Sequence, residues 1–440
     1  MSQRSAHEAA RGRVAITGMG IICGIAADPL QFEQGLRAGR CGIGRLSGLT
    51  GSRLPTRVAA ELQGFEWAPH LARLGERAAP ERARAREVLR GSTLAVQVDV
   101  CAATDAFFAA GLEALPAPRE QVGLIVAGNN LEQRAMHETA SRYAAKAPFV
   151  SPRYALSFLD TQVVGAVSAV LSLQGPGFTV GGASASGGVG IANGFQLVRS
   201  GLAPVCLVLG AMMDLSELEL QALAALGALS SDRFRDSPDA ACRPFDRAHE
   251  GTVYGQASAC LVLEDWAHAV GRGTPVLAEL AGTAMGMDGH HLAEPNPEGE
   301  ARVMRQALSQ AGISAADVQY LNAHATSTPR GDEAECLAIR SVFEGSLDRL
   351  WVNSTKSLVG HTLAAAGVVE AVATVLQVNG GFIHPNRNLR EPIDTGIRFA
   401  GSEAVPAQLT HAVSNSFGFG GINTSIVVRR VPREEGDLRT

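Results

Sequence analysis

The chain has 440 residues, of which 46% are hydrophobic and 18% are charged. A single hydrophobic core stops growing at roughly 250–300 residues, so we expect two domains or one duplicated domain. The 38 Lys and Arg residues against 43 Asp and Glu residues give a formal net charge of -5. This balance excludes the overall basic surface of a dedicated nucleic-acid-binding protein, so no nucleic-acid partner is expected.

The sequence also bears on location and on metal binding. It has no run of about 18 consecutive apolar residues, and its first 13 residues are too polar for a signal peptide, so we predict a cytoplasmic protein outside the membrane. The 7 cysteines form no CxxC pair and are odd in number. We interpret them as reduced packing residues rather than zinc ligands or a disulfide framework.

Short apolar runs followed by glycines predict buried strands that alternate with helices. In the first part of the chain we expect strands at residues 13–17, 122–126, 205–209 and 258–263, and helices at 94–110 and 189–198. In the second part we expect strands at 275–280, 320–323, 351–354, 412–415 and 424–428, and a helix at 362–376. The pattern favours an α/β protein with a mixed sheet layered between helices.

Two similar segments indicate a duplication. SACLVLED near residue 260 and NTSIVVRR near residue 425 look like one closing strand used twice. We therefore predict two halves, residues 13–265 and 266–430. Residues 1–12 and 431–440 are expected to be flexible tails.

Two motifs imitate binding sites without fitting them. Gly18, Gly20 and Gly24 follow the first predicted strand like a dinucleotide fingerprint, but the spacing is wrong by one residue and the acidic residue expected about 20 positions later is missing. We interpret them as a tight turn from strand to helix. His290 and His291 lack a carboxylate or cysteine at metal-ligand spacing, so we predict no metal site there.

A serine- and glycine-rich turn is the first candidate for chemistry. GGASASGG, at residues 181–188, places Ser184 between a short apolar run and a predicted helix. The positive end of a helix dipole stabilises negative charge, and small neighbours admit a substrate. Because such a turn is more often a plain loop, this signal needs partners elsewhere in the chain.

Three segments in the second half supply those partners. NAHATSTP places His324 at the end of a predicted strand and follows it with hydroxyls that suit an amide-bearing ligand. STKSLVGH places Lys356 and His361 five residues apart, before a helix whose Glu370 is a possible ion-pair partner for a buried lysine. NSFGFGGIN, at residues 415–423, is a glycine-rich turn able to present backbone N–H groups to an oxyanion.

From Arg13 to Val428 the chain resembles the elongating β-ketoacyl-ACP synthases of fatty-acid and polyketide synthesis. Four ordered motifs carry the resemblance: RPFDRAHEGTVYG, NAHATSTPRGDEAE, STKSLVGHTLAAAGVVE and NSFGFGGINTS. It implies a thiolase-like fold, a duplicated αβαβα architecture of five layers, and a homodimer. It also implies an acyl carrier protein as partner, which brings the substrate on its phosphopantetheine arm, with no further cofactor.

The resemblance assigns roles by motif. His324 and His361 take the places of the two catalytic histidines, and Lys356 takes that of the motif lysine. Further positions follow in the same way: Glu370 and Asn415 support the site, Thr326 and Thr328 contact the pantetheine, and Phe417 and Gly418 form the gate and oxyanion turn. Ala325, Gln256 and Ala257 depart from the usual family residues without touching this chemistry.

The important departure is at the nucleophile, because Ser184 aligns with the family's cysteine. A thiol, with a pKa of about 8.5, is partly ionised at neutral pH, whereas a hydroxyl is a far weaker nucleophile. Condensation should therefore fail, while decarboxylation needs only donors that stabilise an enolate. This combination resembles the ketosynthase-like malonyl-ACP decarboxylases of polyketide β-branching cassettes, and it implies conversion of malonyl-ACP to acetyl-ACP and CO2.

Three other functions stay open. Ser184 activated by a histidine would make an acyltransferase that uses acyl-ACP. A catalytically silent subunit like a chain-length factor is the non-enzymatic alternative, although the retained histidines and lysine disfavour it. Ser184 could also be an engineered substitution that traps an active condensing enzyme.

A basic segment is the candidate docking site for the carrier protein. Arg82, Arg86 and Arg90 recur at four-residue steps, so on one helix they would form a single basic stripe. A solvated helix face would have the same pattern. The family's use of basic residues in this region favours the docking interpretation.

Overall fold

The computed structural model describes residues 12–47, 54–146, 150–290 and 293–432. Most of the two tails expected from the sequence therefore lies outside the described residues. The strands are β1 (Val14–Cys23), β2 (Gly44–Arg45), β3 (Val58–Ala59), β4 (Val122–Ala127), β5 (Gly177–Val180), β6 (Val205–Gly210), β7 (Ala257–Asp265), β8 (Ala278–Met287), β9 (Tyr320–Asn322), β10 (Trp351–Asn353), β11 (Phe382–Ile383), β12 (Val405–Pro406), β13 (His411–Gly418) and β14 (Ile422–Arg429).

The helices lie between these strands. They are α1 (Pro29–Arg37), α2 (Trp67–Ala72), α3 (Ala79–Val88), α4 (Leu94–Ala109), α5 (Gln133–Ala145), α6 (Tyr154–Ser157), α7 (Thr161–Leu171), α8 (Ser186–Arg199), α9 (Glu217–Ala225), α10 (Trp266–Gly271), α11 (Pro297–Ala311), α12 (Pro329–Phe343), α13 (Lys356–Val359) and α14 (Ala366–Gly380). The fold is thus α/β, as the sequence predicts.

Ten strands form one mixed sheet in the order β10-β9-β13-β14-β8-β1-β7-β6-β4-β5. Strand β1 joins two groups of five, because it pairs antiparallel with both β7 and β8. Counted outward from this junction, β1-β7-β6-β4-β5 and β8-β14-β13-β9-β10 follow the same order along the chain. The segments SACLVLED and NTSIVVRR lie in β7 and β14, which are equivalent strands of the two groups, and each is antiparallel to both of its neighbours.

Helices divide the two groups of strands into five layers. Helices α4 and α7 cover one group, and α11, with α12 packed beside it, covers the other. Between the groups lie α8 and α14, which contact strands of both. The apolar segment Leu363–Gly380, which includes α14, is long enough to cross a membrane, but 83% of it is buried inside the protein. Its hydrophobicity is therefore explained by its place in the central layer.

The glycines near the N-terminus correct one prediction. Gly18 and Gly20 lie within β1, not in a turn from strand to helix. A Cβ atom on Gly18 would be 2.3 Å from the carbonyl oxygen of Ala106, and one on Gly20 would be 2.1 Å from that of Ala102. These glycines let α4 lie directly against the strand, which is a packing reason for the motif.

Other predicted elements differ in their ends. The strand expected at residues 13–17 continues to Cys23, and the one expected at 275–280 is shifted toward the C-terminus as β8. The helix expected at 362–376 begins at Ala366, because residues 363–365 form a 3-10 turn. All 7 cysteines are free thiols, and all but Cys41 are buried.

Candidate active site

A cavity of about 640 Å³ collects most of the residues that the sequence singled out. Seven of them line it: Ser184, His324, Thr326, Thr328, His361, Phe417 and Gly418. Segments that lie far apart in the chain therefore meet at one site. The two supporting residues, Glu370 and Asn415, are fully buried behind it.

A strained turn presents Ser184. Ala183 has a φ of 50°, a left-handed conformation that costs an alanine roughly 1–2 kcal/mol. A 3-10 turn, Ala183–Ala185, follows and leads directly into α8. The half-buried Ser184 places its Oγ 2.8 Å from Nε2 of His361. The predicted position of Ser184 at the start of a helix is confirmed.

Backbone contacts hold His361 and set its tautomer. The backbone N–H of His361 donates to the carbonyl of Val253 at 2.7 Å. His361 follows a turn at Gly360, whose φ is 69°. The backbone N–H of Leu363 donates to Nδ1 of His361 at 3.4 Å. Because Nδ1 accepts this hydrogen bond, the proton of the neutral imidazole lies on Nε2. His361 therefore donates toward Ser184 Oγ instead of accepting its proton.

His324 lies against His361 and Phe417. The two imidazole rings are 5.4 Å apart and nearly perpendicular, at 83°. On its other side His324 packs edge-on against Phe417 at 5.7 Å. The His324 Nδ1 atom is buried and has no hydrogen-bond partner within the described ranges. Both histidines thus line one cavity, and the aromatic ring of Phe417 packs against His324.

Burial and charge keep both imidazoles neutral. The pKa of His324 is well below the usual value of 6.5, first because of burial and then because of the Lys356 cation and His361. The pKa of His361 is also well below 6.5, owing to burial and to Lys356. A neutral imidazole has one N–H, so each ring can offer a hydrogen bond to a developing oxyanion.

Lys356 forms the expected buried ion pair. Its Nζ donates to Oε1 of Glu370, and both side chains are about 1% exposed. Burial raises the pKa of Glu370 to about 7, even though Lys356 opposes this shift. The lysine is therefore a fixed charge next to the histidines, held in place by the carboxyl group of α14.

Glu335 is a functional residue that sequence reasoning missed. Its two carboxyl oxygens accept the backbone N–H groups of His324 at 3.0 Å and Ala325 at 2.7 Å. Asn415 donates to Glu335 at 3.0 Å, so Asn415 supports the loop that carries His324. Burial raises the pKa of Glu335 to about 7. An acid 11 residues after His324, within the quoted motif, was the available signal.

The remaining predicted contacts lie around the cavity. The Oγ1 atoms of Thr326 and Thr328 are 2.8 Å apart, and both threonines line the cavity wall. A Cβ atom on Gly418 would be 2.3 Å from the carbonyl oxygen of Gly182, so the glycine-rich turn packs directly on the turn that carries Ser184. This close approach explains why a glycine follows Phe417.

The predicted arginine stripe is wrong in part. Helix α3 ends at Val88, so Arg90 lies beyond it and does not continue the stripe. Arg82 is half-buried and forms a salt bridge with Glu76 at 3.2 Å, whereas Arg86 and Arg90 are exposed. Gly91, whose φ is 73°, was the available signal that the helix ends before the segment continues. Only Arg86 remains as an exposed, helical member of the stripe.

The second histidine motif stays apart from this chemistry. His290 lies 3.9 Å from an oxygen of Asp288, and His291 falls outside the described residues. Within the part of the chain that the structure describes, no group of three or more His, Cys, Asp or Glu residues is placed to hold a metal ion.

Comparisons with known proteins agree with the fold and with the family resemblance. Residues 11–269 match the N-terminal domain of beta-ketoacyl synthases, and residues 277–390 match their C-terminal domain. The polyketide biosynthesis malonyl-ACP decarboxylase PksF of Bacillus subtilis is 34% identical over 96% of this chain and 98% of its own length.

Two solved structures are also similar. The ishigamide ketosynthase/chain length factor superimposes with a TM-score of 0.85 at 26% identity and covers 96% of this chain and 100% of its own. AntDE:AntF, a type II PKS acyl-carrier protein in complex with its ketosynthase, matches with a TM-score of 0.82 at 25% identity over 95% of this chain and 99% of its own.

Proposed function

The chain belongs to the β-ketoacyl synthase family, and we propose that it is a ketosynthase-like decarboxylase. It would convert malonyl-ACP to acetyl-ACP and CO2 in polyketide biosynthesis. The similarity to PksF supports the reaction and the pathway class. A role in β-branching is part of the proposal. The observation that carries it is the donor state of His361, next to a serine where the family's nucleophilic cysteine is expected.

The chemistry needs stabilisation of one oxygen. When malonyl thioester loses CO2, the electron pair of the broken C–C bond moves into an enolate, whose negative charge develops on the thioester oxygen. His361, with its proton on Nε2, and the neutral His324 offer N–H donors to this oxygen from one cavity. Donors that act on charge formed in the transition state lower the barrier more than donors that only bind the substrate.

Lys356 and Ser184 have indirect roles in this proposal. Burial is the main cause of the low pKa of both histidines, and the lysine cation lowers it further, which helps to keep each imidazole a neutral donor. Ser184 fills the place of a nucleophile and accepts a hydrogen bond from His361 until the substrate arrives. An acyltransferase would require a lone pair on His361 Nε2 to remove the serine proton. The Leu363 N–H disfavours that tautomer, and therefore disfavours the acyltransferase alternative.

A silent partner subunit is supported less well. The similar ishigamide structure includes a chain length factor, so this fold also occurs in such subunits. However, the two histidines, Lys356 and the open cavity form a complete donor site here. An engineered Cys→Ser trap has no structural feature in its favour.

The carrier protein is the proposed partner and source of substrate. Its phosphopantetheine arm would pass Thr326 and Thr328, whose hydroxyls suit its amide groups, and it would reach the histidines past Phe417. Arg86, the exposed helical arginine of the predicted stripe, is the proposed dock for an acidic carrier. We propose no cofactor besides this arm and no metal ion, and we propose the cytoplasm as the place of the reaction.

We also propose a homodimer built on the outer edge of the sheet. Strand β5 is the last strand in the sheet order and therefore has one unpaired edge. Phe178 on β5 is 38% exposed, and Leu156, Phe158 and Leu159, just before the neighbouring helix α7, are 46–64% exposed. A second copy of this chain, pairing along the same edge, would cover this apolar surface.

The test of the function is the rate of CO2 loss from malonyl-loaded carrier protein. His324→Ala and His361→Ala should each lower this rate by about 10²–10³-fold, the usual cost of losing one oxyanion donor. His137→Ala, on the exposed face of α5, is the control and should keep the normal rate. Normal rates in both active-site variants would contradict the proposal.

A further inference from the structure

One buried carboxyl group in the active-site cavity has no part in the mechanism so far. Glu300, in the first turn of α11, is 2% exposed, yet it lines the cavity that holds Ser184, His324 and His361. Its Oε2 atom is buried and has no hydrogen-bond partner within the described part of the chain. A native buried polar atom without a partner calls for an explanation, because leaving it unpaired is costly.

The position of Glu300 is unusual for its helix. The same face of α11 is otherwise apolar: Val303, Met304 and Ala307 are fully buried. One turn after Glu300, the sulphur of Met304 contacts Asn415 at 3.4 Å, and Asn415 donates to Glu335. Through Met304 and Asn415, Glu300 is therefore close to Glu335, the acid that holds the His324 loop. Packing alone would favour an apolar residue at this position.

The surroundings keep Glu300 protonated. The charged groups that face it are Glu335 of α12 and Asp288, which follows β8, while β13 and β14 present Asn415 and Asn423. Burial, followed by these two carboxyl groups, raises the pKa of Glu300 well above the usual value of 4.5.

The two neighbouring acids have hydrogen-bond donors of their own. Asp288 accepts from Asn423 at 2.8 Å, and Glu335 accepts from Asn415 and from two backbone N–H groups. Glu300 Oε2 has none among the described residues. Of the three acids, Glu300 is therefore the one best suited to hold a proton that it can give away.

We propose that Glu300 is the general acid that protonates the enolate and so completes the formation of acetyl-ACP. The inference rests on the proposed function. After CO2 has left, the enolate electron pair forms a new C–H bond at C2 with the carboxyl proton of Glu300, whose O–H bond breaks. The thioester carbonyl re-forms, and the Glu300 carboxylate regains a proton from water in the cavity. No oxidant, reductant or second substrate is needed.

The test compares Glu300→Gln with Glu298→Gln, an exposed residue of the same helix turn. For malonyl-carrier, Glu300→Gln should lower kcat by about 10²-fold and leave KM within about twofold, which is the loss expected for a missing general acid. Glu298→Gln should match the wild type. Glu300→Asp, which keeps a shorter carboxyl group, should recover part of the rate.

Two readouts separate catalysis from a structural effect. The wild-type rate should fall as the pH rises and Glu300 ionises, and this decline should be absent in Glu300→Gln. With 13C-bicarbonate present, the unprotonated enolate of Glu300→Gln should recapture labelled CO2, so label should enter malonyl-carrier faster, relative to net turnover, than in the wild type.

The outcomes distinguish this inference from the function on which it rests. A wild-type rate in Glu300→Gln would overturn the role of Glu300 while leaving the decarboxylase intact. A wild-type enzyme that leaves malonyl-carrier unchanged would instead overturn the proposed function. If Glu300→Gln does not fold, the wild-type enzyme decides the matter, since a rate that does not fall as the pH rises would contradict the role of Glu300.

Discussion

At the scale of single residues, the site depends on which atom of His361 holds the proton. A hydrogen bond from the Leu363 backbone fixes Nδ1 as an acceptor, so Nε2 faces Ser184 as a donor. The same serine would be a nucleophile if the imidazole were in the other tautomer. The backbone N–H of Leu363 therefore determines whether His361 can stabilise an enolate or activate Ser184 for acyl transfer.

Substitutions of Ser184 should show this distinction. Ser184→Ala should retain decarboxylation within about fivefold, because no covalent step uses the hydroxyl, and any loss should be far smaller than the roughly 10²–10³-fold effect of removing an oxyanion donor. Ser184→Cys should acquire an acyl adduct when acyl-carrier is supplied, since a thiol ionises far more readily. Intact-mass spectrometry of the two variants measures both effects. Loss of CO2 release in Ser184→Ala would contradict the role assigned to the serine.

At the scale of elements, the site is made where the two central helices begin. Both α8 and α14 follow a 3-10 turn that starts with a left-handed residue, Ala183 with φ 50° and Leu363 with φ 53°. The first turn carries Ser184, and the second supplies the N–H that orients His361. The duplicated topology has thus given the same local turn two complementary tasks.

The close approach of these helices depends on glycines. A Cβ atom on Gly187 would be 2.7 Å from the backbone nitrogen of Val368 and 2.8 Å from Cα of Gly367. Gly187→Ala should therefore destabilise the protein by about 1–3 kcal/mol and lower activity, because overpacking would separate the two turns. Chemical denaturation measures the stability.

The matched control is Gly271→Ala at the end of α10, where a Cβ atom would meet nothing within 4 Å. This variant should be neutral or slightly more stable, since alanine restricts the unfolded chain more than glycine does. Equal stability of the Gly187 and Gly271 variants would show that the helix contact is less tight than the distances indicate.

At the scale of the whole molecule, the unpaired outer edge of the sheet is the expected contact surface of a homodimer. With β5 unpaired on one side and Phe178 exposed, we expect a particle of twice the chain mass by light scattering. Phe178→Asp should shift it toward the monomer, because a charge would have to be buried at the contact. Leu202→Asp, at a residue that is 72% exposed outside β5, should leave the dimer intact. A wild-type monomer would contradict the proposed interface.

Much of this architecture could be predicted from the sequence, because buried strands and the motifs at their ends are local signals. The runs around β4, β6 and β7 lie within one or two residues of the predicted strands. The length of β1 could not be predicted in this way, since Gly18 and Gly20 favour a turn until α4 is known to lie against them.

The residues of the site could be predicted where they belong to sequence motifs. The features that depend on three-dimensional contacts could not. Ser184, His324 and His361 come from motif patterns, and they meet in one cavity. The tautomer of His361 depends on a backbone contact that no side-chain pattern encodes. The position of Glu300 on the otherwise apolar face of α11 could be read from the sequence pattern. The cavity that this face lines could not be predicted in the same way.

Decarboxylation without an acyl-enzyme can be tested by intact-mass spectrometry of malonyl-carrier and wild-type enzyme in one incubation. We expect the carrier to lose the mass of CO2 while the enzyme mass stays unchanged, because the site stabilises an enolate without forming an acyl-enzyme. A carrier that keeps its malonyl group, or an enzyme that gains an acyl group on Ser184, would contradict the proposed reaction.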